Sequence, residues 1–444
     1  MTANQKTVCQ ESQHRYTTQN GRRRSSAEFH LGNPGKTMNR KNVLMLAAVM
    51  FSTAPPTIGQ VYTGSVLYLP MVPSGFDTVS YGFYGSVSAS ETVGSGFVSG
   101  TNNGSEHALL WTAAGAVDLN PINLSGISNS VALGTNGTQQ VGLGTGHALL
   151  WTGTAASAVD LNPTSFTSSE AFGTNGTQQV GFGFVGGSSN GAHALLWTGT
   201  AASAVDLNPI NLSGFTDSFA YGTDGSQQVG VGQNNSISGS TLTHALLWSG
   251  TAASAIDLNP TNLSGISNST ALATYGTQQV GYGFGSDTGN PTFALLWTGT
   301  AASAVDLNPT NLSGFTQSEA VDTNGTEQVG WGNDGTLTGG AYINHALLWT
   351  GTADSAVYLQ TLLPSAGTWT DSEAFTIDST GNVYGLADGT FNGVSGEFAV
   401  EWSPVVPEPA IGSLLLIAVA GMLMWRRRKS KGVAFDRVLS VSQA

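Results

Sequence analysis

The sequence predicts an all-β fold: a seven-bladed β-propeller of four-stranded antiparallel repeats, plus one C-terminal transmembrane helix. Three observations carry this. A motif closed by Trp returns at Trp111, Trp151, Trp197, Trp248, Trp297, Trp349 and Trp402, at spacings of 40 to 53 residues, the period of propeller blades. Each period holds four short apolar or β-favouring segments, and no helical apolar period runs through them. The two ends of the array are half-modules, and each end carries the half that the other needs.

The four segments are Val-Asp-Leu (Val159-Asp160-Leu161), Ser-x-Ala (Ser169-Glu170-Ala171), Gln-Val-Gly-x-Gly (Gln179 to Gly183) and Ala-Leu-Leu-Trp (Ala194 to Trp197). Between the second and third stands Thr-Asn-Gly, at Thr135 to Gly137, Thr174 to Gly176 and Thr323 to Gly325, or Thr-Asp-Gly at Thr223 to Gly225. Asn-Gly and Asp-Gly supply the positive φ of a tight hairpin, so each module reads as a meander. After Trp402 the chain runs into "SPVVPEP" without a Val-Asp-Leu strand. "SVLYLP" at Ser65 to Pro70 resembles that missing strand, with Tyr68 in place of Asp, as in "SAVYLQ" at Ser355 to Gln360. Pairing the two ends closes a ring and removes two exposed sheet edges. An open β-solenoid is the other architecture; it calls for polar terminal caps, which are not written here.

Charge is as informative as period. Only 9% of the residues are charged, while 40% are hydrophobic, enough for a core. All 14 basic residues lie at the two ends, with none between Lys41 and Arg426. Of the 27 acidic residues, only Glu11, Glu28 and Asp436 fall outside that stretch, which leaves 24 within it. Such a surface is soluble and repels phosphate, so nucleic acid is excluded as a partner. The single Cys, Cys9, lies outside the repeats, which excludes disulfides, thiol catalysis and a Cys metal site from the body.

The ends read as addresses. Residues 1–37 are polar and aperiodic and are expected to be a mis-called upstream extension of a chain starting at Met38. Residues 38–59 have the form of a signal peptide: Arg40-Lys41, the apolar run Val43 to Phe51, then Ser52, Ala54 and Gly59. The propeller then occupies 60–402. Residues 403–409 form a linker with Pro407-Glu408-Pro409, and 410–425 an uncharged stretch expected to cross the membrane as a helix. Arg426, Arg427, Arg428 and Lys429 act as the stop signal that keeps the tail 426–444 in the cytoplasm.

The last segments together resemble the PEP-CTERM sorting signal: Pro-Glu-Pro, one apolar helix and an Arg-rich end, in fixed order. The resemblance implies an exosortase-type protease as partner, which would recognise Pro407, Glu408 and Pro409 and release or transfer the body. It implies export across the inner membrane, a transient anchor there, and a final place at the cell surface or in the extracellular matrix of exopolysaccharide-making bacteria. One departure is that Ser430 to Ala444 follow the Arg cluster. Residues 61–402 also resemble the HAF-type extracellular repeat, through His107, His147, His193, His244 and His345 with Ala and Trp at the expected steps. The third position is Leu rather than Phe in all five, and Phe293 replaces the His in another copy. This second resemblance implies export and repetition, and no known reaction.

The five His share one repeat position, as do Asp118, Asp160, Asp206, Asp257 and Asp306. A catalytic His is usually unique, so these residues and the seven Trp are expected to be structural, with Asp accepting backbone or His hydrogen bonds. The sharper alternative is a ring of Asp around the central channel holding a cation. "DTNGTE" (Asp322 to Glu327) has alternating oxygen groups that suit calcium. Other blades write "GTNGTQ" there, so the turn forms without metal and no cofactor is expected. "NLSG" at Asn123, Asn211, Asn262 and Asn311 matches a glycosylation sequon but reads as a blade loop.

Variation points to the binding surface. One module has only Thr145-Gly146 before His147, whereas others carry inserts at 184–192, 233–243, 284–292 and 333–344. In a propeller these loops share one face, and loops on a rigid scaffold are where binding concentrates. The expected function is a non-enzymatic cell-surface or matrix protein that binds polysaccharide. The alternatives are a scaffold for a surface protein and a propeller enzyme acting on glycans. The enzyme would use unrepeated carboxylates such as Glu319, Asp334 or Asp371 near the channel. A blade-specific carboxylate cluster favours it, and a symmetric channel counts against it.

Overall fold

A computed structural model describes residues 61–69, 72–81, 87–100, 104–186, 191–234, 242–285, 291–338 and 341–405. The expected signal peptide, Pro407-Glu408-Pro409, membrane helix and basic tail lie outside these residues. Among the described residues, no helix is long and apolar enough to cross a membrane.

The chain folds into seven four-stranded sheets, each an antiparallel blade. Blade three shows the pattern: an inner strand Ser168–Thr174, then Gln179–Phe184, Ala192–Trp197 and a two-residue outer strand Val205–Asp206. Ring closure follows the sequence reading. Blade seven consists of Gly367–Ile377, Val383–Phe391 and Val394–Pro404, and its outer strand is Tyr62–Tyr68 from the start of the array. This outer strand, of seven residues, is longer than those of the other blades.

Two local devices recur in the blades. The hairpin after the inner strand is a four-residue loop, not the tight two-residue turn expected, in blades two, three, four and six, and closes with Gly276 and Thr277 alone in blade five. Gly176 takes the positive φ, of 92°, while Asn175 Oδ1 accepts the backbone N–H groups of Thr177 and Gln178. Asn thus acts through its side chain and leaves the backbone requirement to Gly. The second device is a bulge in the inner strand, between Ala171 and Gly173 in blade three, Ala220 and Gly222 in blade four, and Ala374 and Thr376 in blade seven. The extra residue of each bulge escapes the ladder, and Phe172, Tyr221 and Phe375 thereby line the central channel.

Blades pack through one repeated core. Val180, Ala194, Leu196 and Leu207 of blade three meet Ala220, Leu246 and Trp248 of blade four. The seven repeat Trp are 0–2% exposed, and burying each contributes roughly 4–6 kcal/mol by area. Gly181 lets the two inner strands of blade three approach, since a Cβ there would lie 1.9 Å from the Glu170 carbonyl oxygen. Residues 62–403 make up one compact unit.

Candidate functional site

The repeated polar residues form three hydrogen-bonded systems. On the outer strands, Nδ1 of His107, His147, His193 and His244 lies 2.7–2.8 Å from Oδ2 of Asp118, Asp160, Asp206 and Asp257 in the same blade. The other carboxylate oxygen accepts the N–H two residues on, as from Asn162 to Asp160. Blade six has Tyr358 at the Asp position, and His345 turns to Gln360 Oε1 at 2.9 Å. In blade five Phe293 has replaced the His; Asp306 is raised by burial, offset in part by the Asn308 N–H. The Asp positions therefore do not ring the channel. They lie on the outermost strands, which overturns the cation-ring alternative.

The second system explains Ser-x-Ala. Ser130, Ser169, Ser218, Ser269, Ser318 and Ser372 each accept the buried N–H of an Ala on the third strand of the preceding blade, at 3.0–3.1 Å. Their hydroxyls donate to the Asn or Gln that follows that blade's outer strand. The third system is a belt of paired Gln. Gln179 Nε2 donates to Gln139 of the preceding blade, Gln228 to Gln178, Gln279 to Gln227 and Gln328 to Gln278, at 2.9–3.1 Å. At the two ends of the belt the acceptor is Glu. Glu91 takes Gln140 and Thr135, and Glu327 takes the Tyr62 hydroxyl at 2.8 Å.

The channel holds a cavity of about 480 Å³ lined by residues of all seven blades. Phe172, Tyr221, Leu272, Val321 and Phe375 form its apolar collar, and Thr135, Thr174, Thr223 and Thr274 a hydroxyl rim. Burial pushes the Tyr221 phenol up to about 12. Asp322 stands where blades two to four have Gly134, Gly173 and Gly222, and burial pushes it up to about 7 against the N–H groups of Ile377 and Thr323, which stabilise its charge. Its oxygens are thus spent on backbone, and Glu327 on Tyr62, so "DTNGTE" does not converge as a calcium loop. Among the described residues no group of His, Cys, Asp and Glu is placed to hold a metal.

The unrepeated chemistry lies on blade seven, toward the rim that carries the inserts. Strand register sets Asp371 opposite Asp388 and Asp388 opposite Glu397, with Glu373 two residues from Asp371. Carboxylates facing across a sheet repel, and with no Lys or Arg between residues 41 and 426 the relief is proton uptake. Glu397 is pushed up to about 8 by burial and by the charges of Asp388, Glu373 and Asp371. Glu373 is pushed up to about 7 by burial, despite the Asn344 amide at 2.5 Å, with Asp371, Glu319 and Asp388 adding to the rise. Burial raises Asp371 and Asp388 as well. On the same strands, Trp369 meets Phe391 and Phe398 at centroid distances of 5.9 and 5.6 Å, and the three rings pack on the core shared with blade six. The sequence reading named Asp371, Glu319 and Asp334. The first two act on this cluster, whereas Asp334 acts on Tyr358. Glu373, Asp388 and Glu397 were missed, because they meet only through cross-strand register.

No protein-family profile and no curated protein matches the chain. Among solved structures it is similar to a TolB-like protein of Agrobacterium tumefaciens, at 13% identity over 61% of this chain and 88% of that one, with a TM-score of 0.36. It is similar to the acylaminoacyl peptidase of Pyrococcus horikoshii at 8% identity, covering 76% of this chain and 54% of that one, with a TM-score of 0.42. The polysaccharide lyase Uly1 shares 9% identity over 78% of this chain and 99% of that one, also at 0.42.

Proposed function

We propose that the chain is an exported surface propeller that binds a neutral polysaccharide at the acidic, aromatic rim of blade seven. The observation behind this is the cluster of Asp371, Glu373, Asp388 and Glu397 on strands that also carry the part-buried Trp369 and Phe391. Carboxylate oxygens accept from sugar hydroxyls, and aromatic faces cover their C–H faces. With no cation in the body, an anionic polymer would be repelled. The test is retardation of the protein in gels loaded with neutral or uronate-rich polysaccharides. Wild type should be slowed by the neutral polymers alone, and Asp388→Asn together with Trp369→Ala should remove the retardation. Equal mobility in every gel would end this reading.

The route to the surface is proposed from the PEP-CTERM resemblance. In an exosortase-bearing host, the intact mass should show loss of the segment after Pro407-Glu408-Pro409, with the body in the medium or at the surface. Triple replacement of the motif by Ala should leave the full-length chain in the membrane. Full-length wild type in the membrane would make the segment a plain anchor.

A glycan-cleaving enzyme is the second reading. One observation favours it: Glu373 and Glu397 are pushed up to about 7 and about 8 beside Asp371 and Asp388. Carboxyls held at different protonation are the ordinary equipment of acid–base catalysis. New reducing ends in a bound polysaccharide, absent with Glu397→Gln, would move the assignment to that class.

A further inference from the structure

We propose that blade one carries a second, independent site: Ser105, His107 and Asp118 form a nucleophilic triad that hydrolyses a neutral carboxylic ester. It does not rest on the blade-seven reading.

The geometry is specific to this blade. Ser105 Oγ lies 3.2 Å from His107 Nε2, and His107 Nδ1 lies 2.8 Å from Asp118 Oδ2. Nδ1 facing a carboxylate holds its proton there, so Nε2 presents a lone pair and acts as acceptor. The Ser hydroxyl therefore has a base at hydrogen-bonding distance, and the base has an orienting acid, which are the relations that activate a serine. The Asn129 carbonyl oxygen and the Ser128 carbonyl also lie near Oγ, at 3.3 and 3.4 Å. The nucleophile–base contact is the shortest of the three.

The other blades act as built-in controls. His147, His193 and His244 have the same Asp partners, yet the residue two places before each is Thr145, Gly191 or Leu242. Only His107 has a Ser there. Gly104, with φ +55°, turns the chain just before Ser105, and the His107 side chain keeps 20% of its surface exposed. The triad thus opens on the rim rather than into a core.

Its surroundings define the substrate. Phe76 meets His107 in a T-shaped contact at 6.0 Å, and Gly96, opposite His107 in the ladder, leaves that face uncrowded by a side chain. The Phe76 ring gives an apolar shoulder for a short acyl or alkoxy group. The Asn129 side chain presents Oδ1 to Ser105 Oγ in this structure, and end-for-end rotation of its amide would offer an N–H to an oxyanion there. Phosphate esters and other anionic substrates are disfavoured by a body without Lys or Arg.

The chemistry balances with ester and water alone. Ser105 Oγ passes its proton to His107 Nε2 and bonds to the acyl carbon; the C–O bond to the alcohol breaks as His107 returns the proton to the leaving oxygen. Water then gives a proton to His107 and adds to the acyl carbon, and the bond to Ser105 breaks with the proton returned to Oγ.

The test is labelling of the full-length protein with a fluorophosphonate, mapped by a Glu-C or chymotryptic digest, since the body offers trypsin no site. p-Nitrophenyl butyrate hydrolysis is followed in parallel. Wild type should carry one label, on Ser105. Ser105→Ala should lose it, and Asp118→Asn should slow both labelling and hydrolysis by on the order of 100-fold. His147→Ala, which removes a dyad without a serine, should label at the wild-type rate, and circular dichroism should show all variants folded. An unlabelled wild type, a label on another residue, or an unchanged rate in Asp118→Asn would overturn the proposal.

Discussion

The middle blades and the closing blade solve the same packing problem with different residues. Blades two to six are held by repeated contacts: the Ser latch, which blade seven shares through Ser372, the Gln belt, and a Trp whose core pocket is built from the preceding blade. In five of these Trp, from Trp151 to Trp349, the buried indole N–H has no protein acceptor. In blade seven, Trp402 Nε1 donates to the Leu359 carbonyl at 2.8 Å. The closing blade also replaces the outer His with Phe398, opposite Ala387, and collects the carboxylates. The contacts made between all the middle blades, the latch and the Trp pocket, are neutral and generic. The blade that both ends of the repeat array share departs from the repeat and gathers the carboxylates that face one another.

Removing residues 61–69 breaks the comparison most sharply. The deletion takes away the outer strand of blade seven, the Tyr62–Glu327 bond and the Tyr68–Thr92 bond. Calorimetry should show a Tm lower by on the order of 10 °C or more, or no cooperative transition. An unchanged transition would mean that the ring does not depend on its closure.

Tryptophan replacements come next. Trp248→Ala and Trp402→Ala should each lose about 3–5 kcal/mol in denaturant unfolding. Phe replacements separate the two regions: Trp402→Phe strands the Leu359 carbonyl and should cost about 1 kcal/mol more than Trp248→Phe. Equal values would show that the two indoles are equivalent. Ser218→Ala should cost about 1–3 kcal/mol, because it leaves the buried Ala194 N–H without its acceptor.

The carboxylates of blade seven predict the larger part of a pH signature, to which the buried Asp322 of blade six adds in the same sense. Glu397 and Glu373 keep their protons in the folded chain up to about 8 and about 7, while the unfolded chain releases them near the ordinary carboxylate value. The folded state thus binds more protons across that window, and stability falls as pH rises from about 5 to about 8. Asp378 acts in the opposite sense. Burial alone would raise it, but hydrogen bonds from Thr380 and Asn382 hold it below the ordinary value, so its contribution is lost only in acid. Glu397→Gln should flatten the decline in Tm between pH 5 and 8 and exceed wild type at pH 8. The smallest effect belongs to the outer dyads: His147→Ala, at a half-exposed pair, should cost no more than about 1 kcal/mol.

The fold was legible because repetition writes its own strands. Seven Trp gave the blade number, and the half-module at Ser65 to Pro70 gave the closure. What repetition does not encode is which strand faces the axis. Val-Asp-Leu and Ser-x-Ala look equally eligible as sequence, and the bulge at Phe172 and Tyr221, decided by packing against the next blade, settles it. For the same reason the repeated Asp could be read as a channel ring. The carboxylate cluster was half legible. Asp371 stood out as unrepeated, but Asp388 and Glu397 lie 17 and 26 residues further along and come together through ladder pairing alone. Ser105 was hidden because it precedes a repeated His and belongs to no motif of its own.

The strand Val394–Pro404 carries Glu397 near one end and passes at its other end into the chain that leads to residue 444. It is hydrogen-bonded on both sides, to Val383–Phe391 and to Tyr62–Tyr68. Tension between something gripped at Glu397 and a tether beyond Pro404 would run along this single strand. The covalent backbone between the two points would carry that load, and the ladders on either side would hold the strand in place while it does. A polymer could pull on the rim without levering the ring apart.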